Sequence, residues 1–205
     1  MSYIKKYMFL CLVVLSAKYN AQELNFYPDT VSYKKSLFEM LIRTKNVVNL
    51  KYIRFKDGVK FGGHPFLTDS IMGVKTKLKQ RFNSSVAREL TSFRPIDDLF
   101  TSWIYTYQKN YPDSVIFIWD WHVDDFFHEQ DSLSVTHNSS NYGAYLWTIE
   151  PCIFSITNSG VKRDYAIICS YYQKSQYFPY GNFGQILLYE RRSRRWEQIE
   201  TLYQW

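Results

Sequence analysis

No apolar run in this 205-residue sequence is long enough to cross a membrane: the most apolar stretch, Met8 to Ala17, covers ten positions, whereas a helical span needs about 20. Glycine is scarce, at eight residues. Its one adjacent pair, in Gly62-Gly63-His64-Pro65, is a turn without the Lys and Ser or Thr of a phosphate loop. None of the four histidines stands in a His-Glu-x-x-His array, which excludes that zinc-hydrolase signature. Cysteine is limited to Cys11, Cys152 and Cys169, and no Cys–His spacing argues for a thiol nucleophile. No low-complexity linker divides the chain, so one domain is expected over residues 22–205.

What is present begins with a leader. Lys5 and Lys6 precede the apolar run, and Lys18-Tyr-Asn-Ala21 follows it, the layout of a secretory signal peptide over residues 1–21 with cleavage expected after Ala21. Phe9 and Leu10 stand where a lipoprotein signal would need small residues before Cys11. The expected location is therefore periplasmic or extracellular, with no transmembrane segment after cleavage. The formal net charge of +6 includes Lys5, Lys6 and Lys18, leaving only +3 on the mature chain. That is weak support for nucleic acid, and no such partner is expected. In an oxidising compartment Cys152 and Cys169 are candidates for a disulfide. A hairpin symmetric about Gly160 and Val161 would set them opposite one another; the alternative is two buried free thiols.

The last third, Pro151 to Trp205, reads as antiparallel sheet. Cys152 to Ile156 and Tyr165 to Tyr172 flank an Asn-Ser-Gly turn signal, and Gln185 to Glu190 and Trp196 to Tyr203 flank Arg191-Arg192-Ser193-Arg194. Trp196 and Ile199 fall on opposite faces of an ideal strand, implying a bulge or two covered faces. Upstream, Leu37, Met40 and Leu41 recur at helical spacing within residues 31–45. Val47 to Phe55 reads as a strand, Ser84-Ser85 as the cap of a short helix to Leu90, and Pro95 to Asn110 as a stronger helix. Val115 to Trp119, apolar on both faces, is expected at the sheet centre, and Tyr145 to Ile149 enters the same sheet. The fold class is thus α+β, a single domain with an antiparallel sheet formed mainly by the C-terminal half and packed against two or three helices from the N-terminal half. The aromatic share, 19%, fits wide packed sheet faces; the sharper account is a surface on which sugars stack.

Two segments carry more charge than packing explains. Lys75, Lys77, Lys79 and Arg81 alternate, and as a strand they would share one face. That face is either a guarded sheet edge or a patch for an anionic partner such as a phosphorylated glycan or lipid headgroup. Asp120 to Asp131 holds two histidines and five carboxylates. His122, Asp124 and His128 are candidate ligands for a divalent metal, with Glu129 as a base. The simpler account is a helix capped by Asp124 or Asp125 and anchored by Phe126 and Phe127, followed by a loop from Ser132 to Tyr142.

The leader ending in Asn20-Ala21-Gln22, together with Ile153-Phe-Ser, Tyr165-Ala-Ile-Ile168, Gly181, Gly184, Leu187-Leu-Tyr189 and Trp196, resembles small exported proteins of Bacteroidetes-type bacteria that have no assigned activity. The resemblance covers the leader and the last third, with Cys169 and loop 171–180 as departures. It implies an exported α+β domain and transfers no catalytic residue. Two functions follow. One is a non-enzymatic binding protein of the cell envelope, without cofactor, contacting a protein or an envelope glycan through Tyr171, Tyr172, Tyr177 and Tyr180 and through Arg191, Arg192, Arg194 and Arg195, residue types that tend to dominate binding energy. The other is a metal-dependent hydrolase built on the 120–131 cluster.

Overall fold

Both faces of one long strand, β4 (Leu146–Asn158), are covered: Leu146 to Glu150 and Cys152 to Ile156 are all buried. The computed structural model describes residues 22–26, 33, 35–37, 39–41, 52–55, 68–92, 116–117, 123–136, 146–173 and 183–205. Around β4 lie β1 (Gln22–Phe26), β2 (Tyr52–Phe55), β3 (Ile116–Phe117), β5 (Val161–Gln173), β6 (Phe183–Arg192) and β7 (Arg195–Gln204). The helices are α1 (Thr68–Arg81), α2 (Ser84–Ser92) and α3 (Val123–Thr136), and residues 33, 35–37 and 39–41 are also helical. The fold is α+β, with the antiparallel meander β4-β5-β6-β7 supplied by the C-terminal half.

One edge of β4 pairs with β5 along its whole length. The other edge is shared: β2 runs parallel to Leu146–Ile149, and β1 runs antiparallel to Phe154–Asn158. Counted from the pair Asn158–Val161 across a two-residue turn, odd-numbered residues of β4 direct their N–H groups away from β5. Pro151, which has no N–H, falls in the interval between the β2 and β1 pairings, the position on this strand where a missing donor breaks no ladder. The two sequence runs expected to be separate, Tyr145 to Ile149 and Cys152 to Ile156, are therefore one strand. β3 lies at the outer end of the strand order, paired parallel with β2, rather than at the centre where its apolar sequence would put it.

Two cores follow from the parity of the strands. On one face Cys152, Phe154 and Ile156 meet Tyr165, Ile167, Cys169 and Tyr171, then Ile186, Leu188 and Leu202, under α1 and α2. The opposite face joins Trp147, Ile149 and Ile153 to Ala166, Ile168, Leu187, Tyr189 and Trp196, under the helical residues Leu37 and Leu41. A third cluster seats Val123, Phe126 and Phe127 of α3 against Leu146. β7 loses register against β6 twice, once between Ile186 and Leu187 and once between Leu188 and Tyr189. The extra residues, Leu202 and Ile199, turn into the first core while Trp196 enters the second, so the odd spacing of Trp196 and Ile199 reflects a bulge and two covered faces together.

Several expectations change. Val74 to Arg81 is helical, because Val74, Leu78 and Phe82, four apart, are the buried positions; Lys79 and Arg81 are exposed, while Lys77 Nζ donates to Thr201 O of β7 at 2.6 Å. α2 is capped by Asn83, whose Oδ1 accepts from Val86 N at 2.8 Å, and not by Ser84 or Ser85. α3 continues through Thr136, so residues 132–136 are helix rather than loop. The expected helix over 95–110 lies outside the described residues. Aromatic side chains pack with one another: Phe82 meets Phe154 and Tyr165 edge-on with centroids 6.0 and 5.1 Å away. Truncating Phe82 to Ala costs about 3–5 kcal/mol.

Candidate functional site

Both hairpin turns of the meander emerge at the same end of the sheet, since β5 starts where β6 ends. Each turn places two central residues in the left-handed region, Ser159 (φ 51°) with Gly160 (φ 79°), and Ser193 (φ 48°) with Arg194 (φ 68°). This is the type I′ geometry whose twist suits a two-residue hairpin. In the first turn Gly160 adopts it without steric penalty; in the second an arginine holds the equivalent place, at a cost of about 1–2 kcal/mol.

The cations at this end divide by face. Arg191 belongs to the second core: its guanidinium lies 4.0 Å from the Tyr33 ring centroid and 4.0 Å from Asp164 Oδ2. Tyr33 packs edge-on against Trp196, whose Nε1 donates to Ser36 Oγ at 2.9 Å. Arg191 is thus a packing residue rather than part of an exposed turn. On the other face Glu190 is buried and accepts from Arg192 Nε at 2.8 Å and from Arg192 Nη2, while Arg163 Nη1 stands at 3.4 Å. Arg192 also reaches Glu197 at 3.6 Å. Arg194 and Arg195 are exposed and make no ion pair among the described residues.

Next to this network, on the face covered by α1, the sheet floor opens into a cleft of ≈ 370 Å³. Arg81, at the end of α1, and Arg163, on β5, line it; Gln22, Asn158 and Tyr165 add polar groups, and Phe82 an apolar one. Burial, reinforced by the Glu190 carboxylate, raises the Tyr165 phenol above its ordinary pKa, although Arg163 and Arg81 pull the other way. It therefore remains an O–H donor at neutral pH. Gln22 Oε1 accepts from Asn83 N at 2.8 Å, tying the first residue of β1 to the α1–α2 elbow.

Two of the tyrosines expected to bind a partner, Tyr171 and Tyr172, sit elsewhere. Both belong to β5 rather than to an exposed loop. Tyr171 is 1% exposed and donates to the buried Glu150 Oε1 at 3.1 Å, while Tyr172 stacks on Trp147 at 6.3 Å. Tyr177 and Tyr180 lie outside the described residues, as do His64, His122 and His137. Asp124, His128 and Glu129 are exposed on α3. Among the described residues no three His, Cys, Asp or Glu side chains come together as a metal-binding group. Cys152 and Cys169 are buried thiols that are not joined in a disulfide. The turn centres on Ser159-Gly160, one residue earlier than the symmetric pairing assumed, so Cys152 faces Ile167 and Cys169 faces Glu150. Burial pushes the Cys152 thiol up to about 12.

Sequence reading placed Arg81 in a cationic patch and Arg192, Arg194 and Arg195 in a contact turn, but it missed Gln22, Asn158, Arg163 and Tyr165. These polar residues come from opposite ends of the chain and share no local motif. Comparison with protein-family models, curated proteins and solved structures gives no match.

Proposed function

We propose that this chain is an exported, non-enzymatic binding protein of the cell envelope whose arginine-bearing sheet end contacts an anionic envelope glycan. The leader-like residues 1–21 support export. The observation that carries the binding reading is Arg194, held at φ 68° at the tip of the β6–β7 turn beside exposed Arg195. A left-handed arginine is an unfavourable choice for a turn alone, and backbone strain of this kind concentrates where side-chain presentation matters. With Arg192 and Arg163 behind it, the tip presents cations on a rigid hairpin, the arrangement suited to carboxylate or phosphate groups.

The test is retention of the protein, purified from the periplasm of an expression host, on an immobilised polyuronate, with neutral dextran as control. Retention that falls with added salt and is lost in the Arg194→Ala, Arg195→Ala double variant supports the reading. Equal retention on both matrices, or none, overturns it.

A further inference from the structure

We propose that the cleft between the β4–β5 turn and the α1–α2 elbow binds the carboxylate or phosphate group of a single sugar unit. This rests on the glycan-binding reading above and assigns its specific contact. The volume, ≈ 370 Å³, lies at the low end of the range of about 300–1,000 Å³ for small-molecule sites, enough for one ring rather than a polymer strand.

The two arginines arrive from different elements, Arg81 from the last turn of α1 and Arg163 from the third residue of β5, and both line the cleft. Guanidinium forks favour planar carboxylate or phosphate oxygens. Arg81 makes no ion pair among the described residues. Arg163 interacts with the Tyr165 hydroxyl and has a long contact, 3.4 Å, to Glu190, whose other oxygen is held by two nitrogens of Arg192. The side chain of Arg163 is 62% exposed and is therefore available to an incoming anion.

The remainder of the lining suits hydroxyl groups. Gln22, whose Oε1 accepts from Asn83 N, and Asn158 bring amide groups to the lining, and Tyr165 a phenol. Phe82 adds an apolar ring to the lining, against which the carbon face of a sugar can pack. Neutral sugars lack the group for which the two arginines compete, and bare anions leave the amides and the aromatic ring unused.

The experiment is titration of the exported protein with glucuronic acid, glucose 6-phosphate, glucose and inorganic phosphate, followed by amide NMR shifts and calorimetry. The expected result is binding of one or both anionic sugars, with shifts at Gln22, Arg163 and Tyr165 and none from glucose. Arg81→Gln and Arg163→Gln each weaken that binding about tenfold, the scale of a lost charge-assisted hydrogen bond, while spectra of the unliganded variants stay native-like. The Arg194→Ala, Arg195→Ala double variant keeps monosaccharide binding while losing polyuronate retention. Which anionic sugar binds decides between a carboxylate and a phosphate source. Absence of binding by both, affinity unchanged in both Arg variants, or equal affinity for inorganic phosphate and glucose 6-phosphate overturns the proposal. Polyuronate retention is read separately, so failure at the cleft is distinguishable from failure of the sheet end as a whole.

Discussion

The indole of Trp205 lies against Gly184 where a side chain would be: a Cβ there would clash with the ring. The two backbones exchange hydrogen bonds, Gly184 N to Trp205 O at 3.2 Å and Trp205 N to Gly184 O at 3.0 Å, which carries the β6–β7 ladder to the final residue. Tyr203 stacks on the same ring at 6.0 Å. Gly184→Ala is expected to destabilise by about 1–3 kcal/mol through overpacking. Denaturant midpoints check this, and adding Trp205→Ala removes most of the penalty if the ring is its cause. An unchanged midpoint in Gly184→Ala means the ring moves aside freely.

Glu150 is buried beside the Tyr171 hydroxyl. Tyr171→Phe keeps the ring and its packing but removes one donor from a carboxylate out of contact with water. The expected loss is about 1–3 kcal/mol, measured by urea unfolding at neutral pH with an unchanged slope against denaturant. A variant as stable as the parent shows that the remaining contacts of Glu150 suffice.

Alkaline conditions should loosen the fold. Burial raises Cys152 from 9.0 to about 12 and Tyr189 from 10.0 to about 12. Above the lower value of each pair the unfolded chain releases a proton that the folded chain keeps, so the folded state binds more protons and stability falls as pH rises. The decline runs from about pH 9 toward 12, at up to about 1.4 kcal/mol per pH unit for each linked proton. Unfolding midpoints at pH 7 and pH 10 measure it, and Cys152→Ala should flatten the onset. Both thiols should also resist thiol reagents until the protein unfolds.

The β6–β7 turn holds Ser193 and Arg194 in the left-handed region. Replacing Ser193-Arg194 by Asn-Gly suits the observed φ values and should stabilise the hairpin by about 1 kcal/mol. The same variant should bind polyuronate less. A rise in melting temperature without loss of binding would mean that Arg194 has no contact role.

Most of the sheet was legible because its residues speak locally. The hairpins of the last third declare themselves by β-branched and aromatic runs around turn residues, and Leu37 and Leu41 by helical spacing. Val74 to Arg81 was misread because its charges alternate while its few apolar residues do not, and only burial shows that Val74 and Leu78 set the period. β4 was split at Pro151 because the harmlessness of that proline depends on where β1 and β2 stop, which no local pattern records. The cleft was invisible for a related reason: Gln22, Arg81 and Arg163 converge only after β1 has paired with β4 and α1 has covered the sheet.

That pairing also sets an order of events. Gln22 stands opposite Asn158 and Phe26 opposite Phe154, so the first strand of the fold must wait for a partner near the far end of the chain. The meander β4 to β7, built from near neighbours, can assemble early, whereas closing the long loop to β1 comes late. During synthesis β1 then remains without its strand partner until residues 154–158 have emerged.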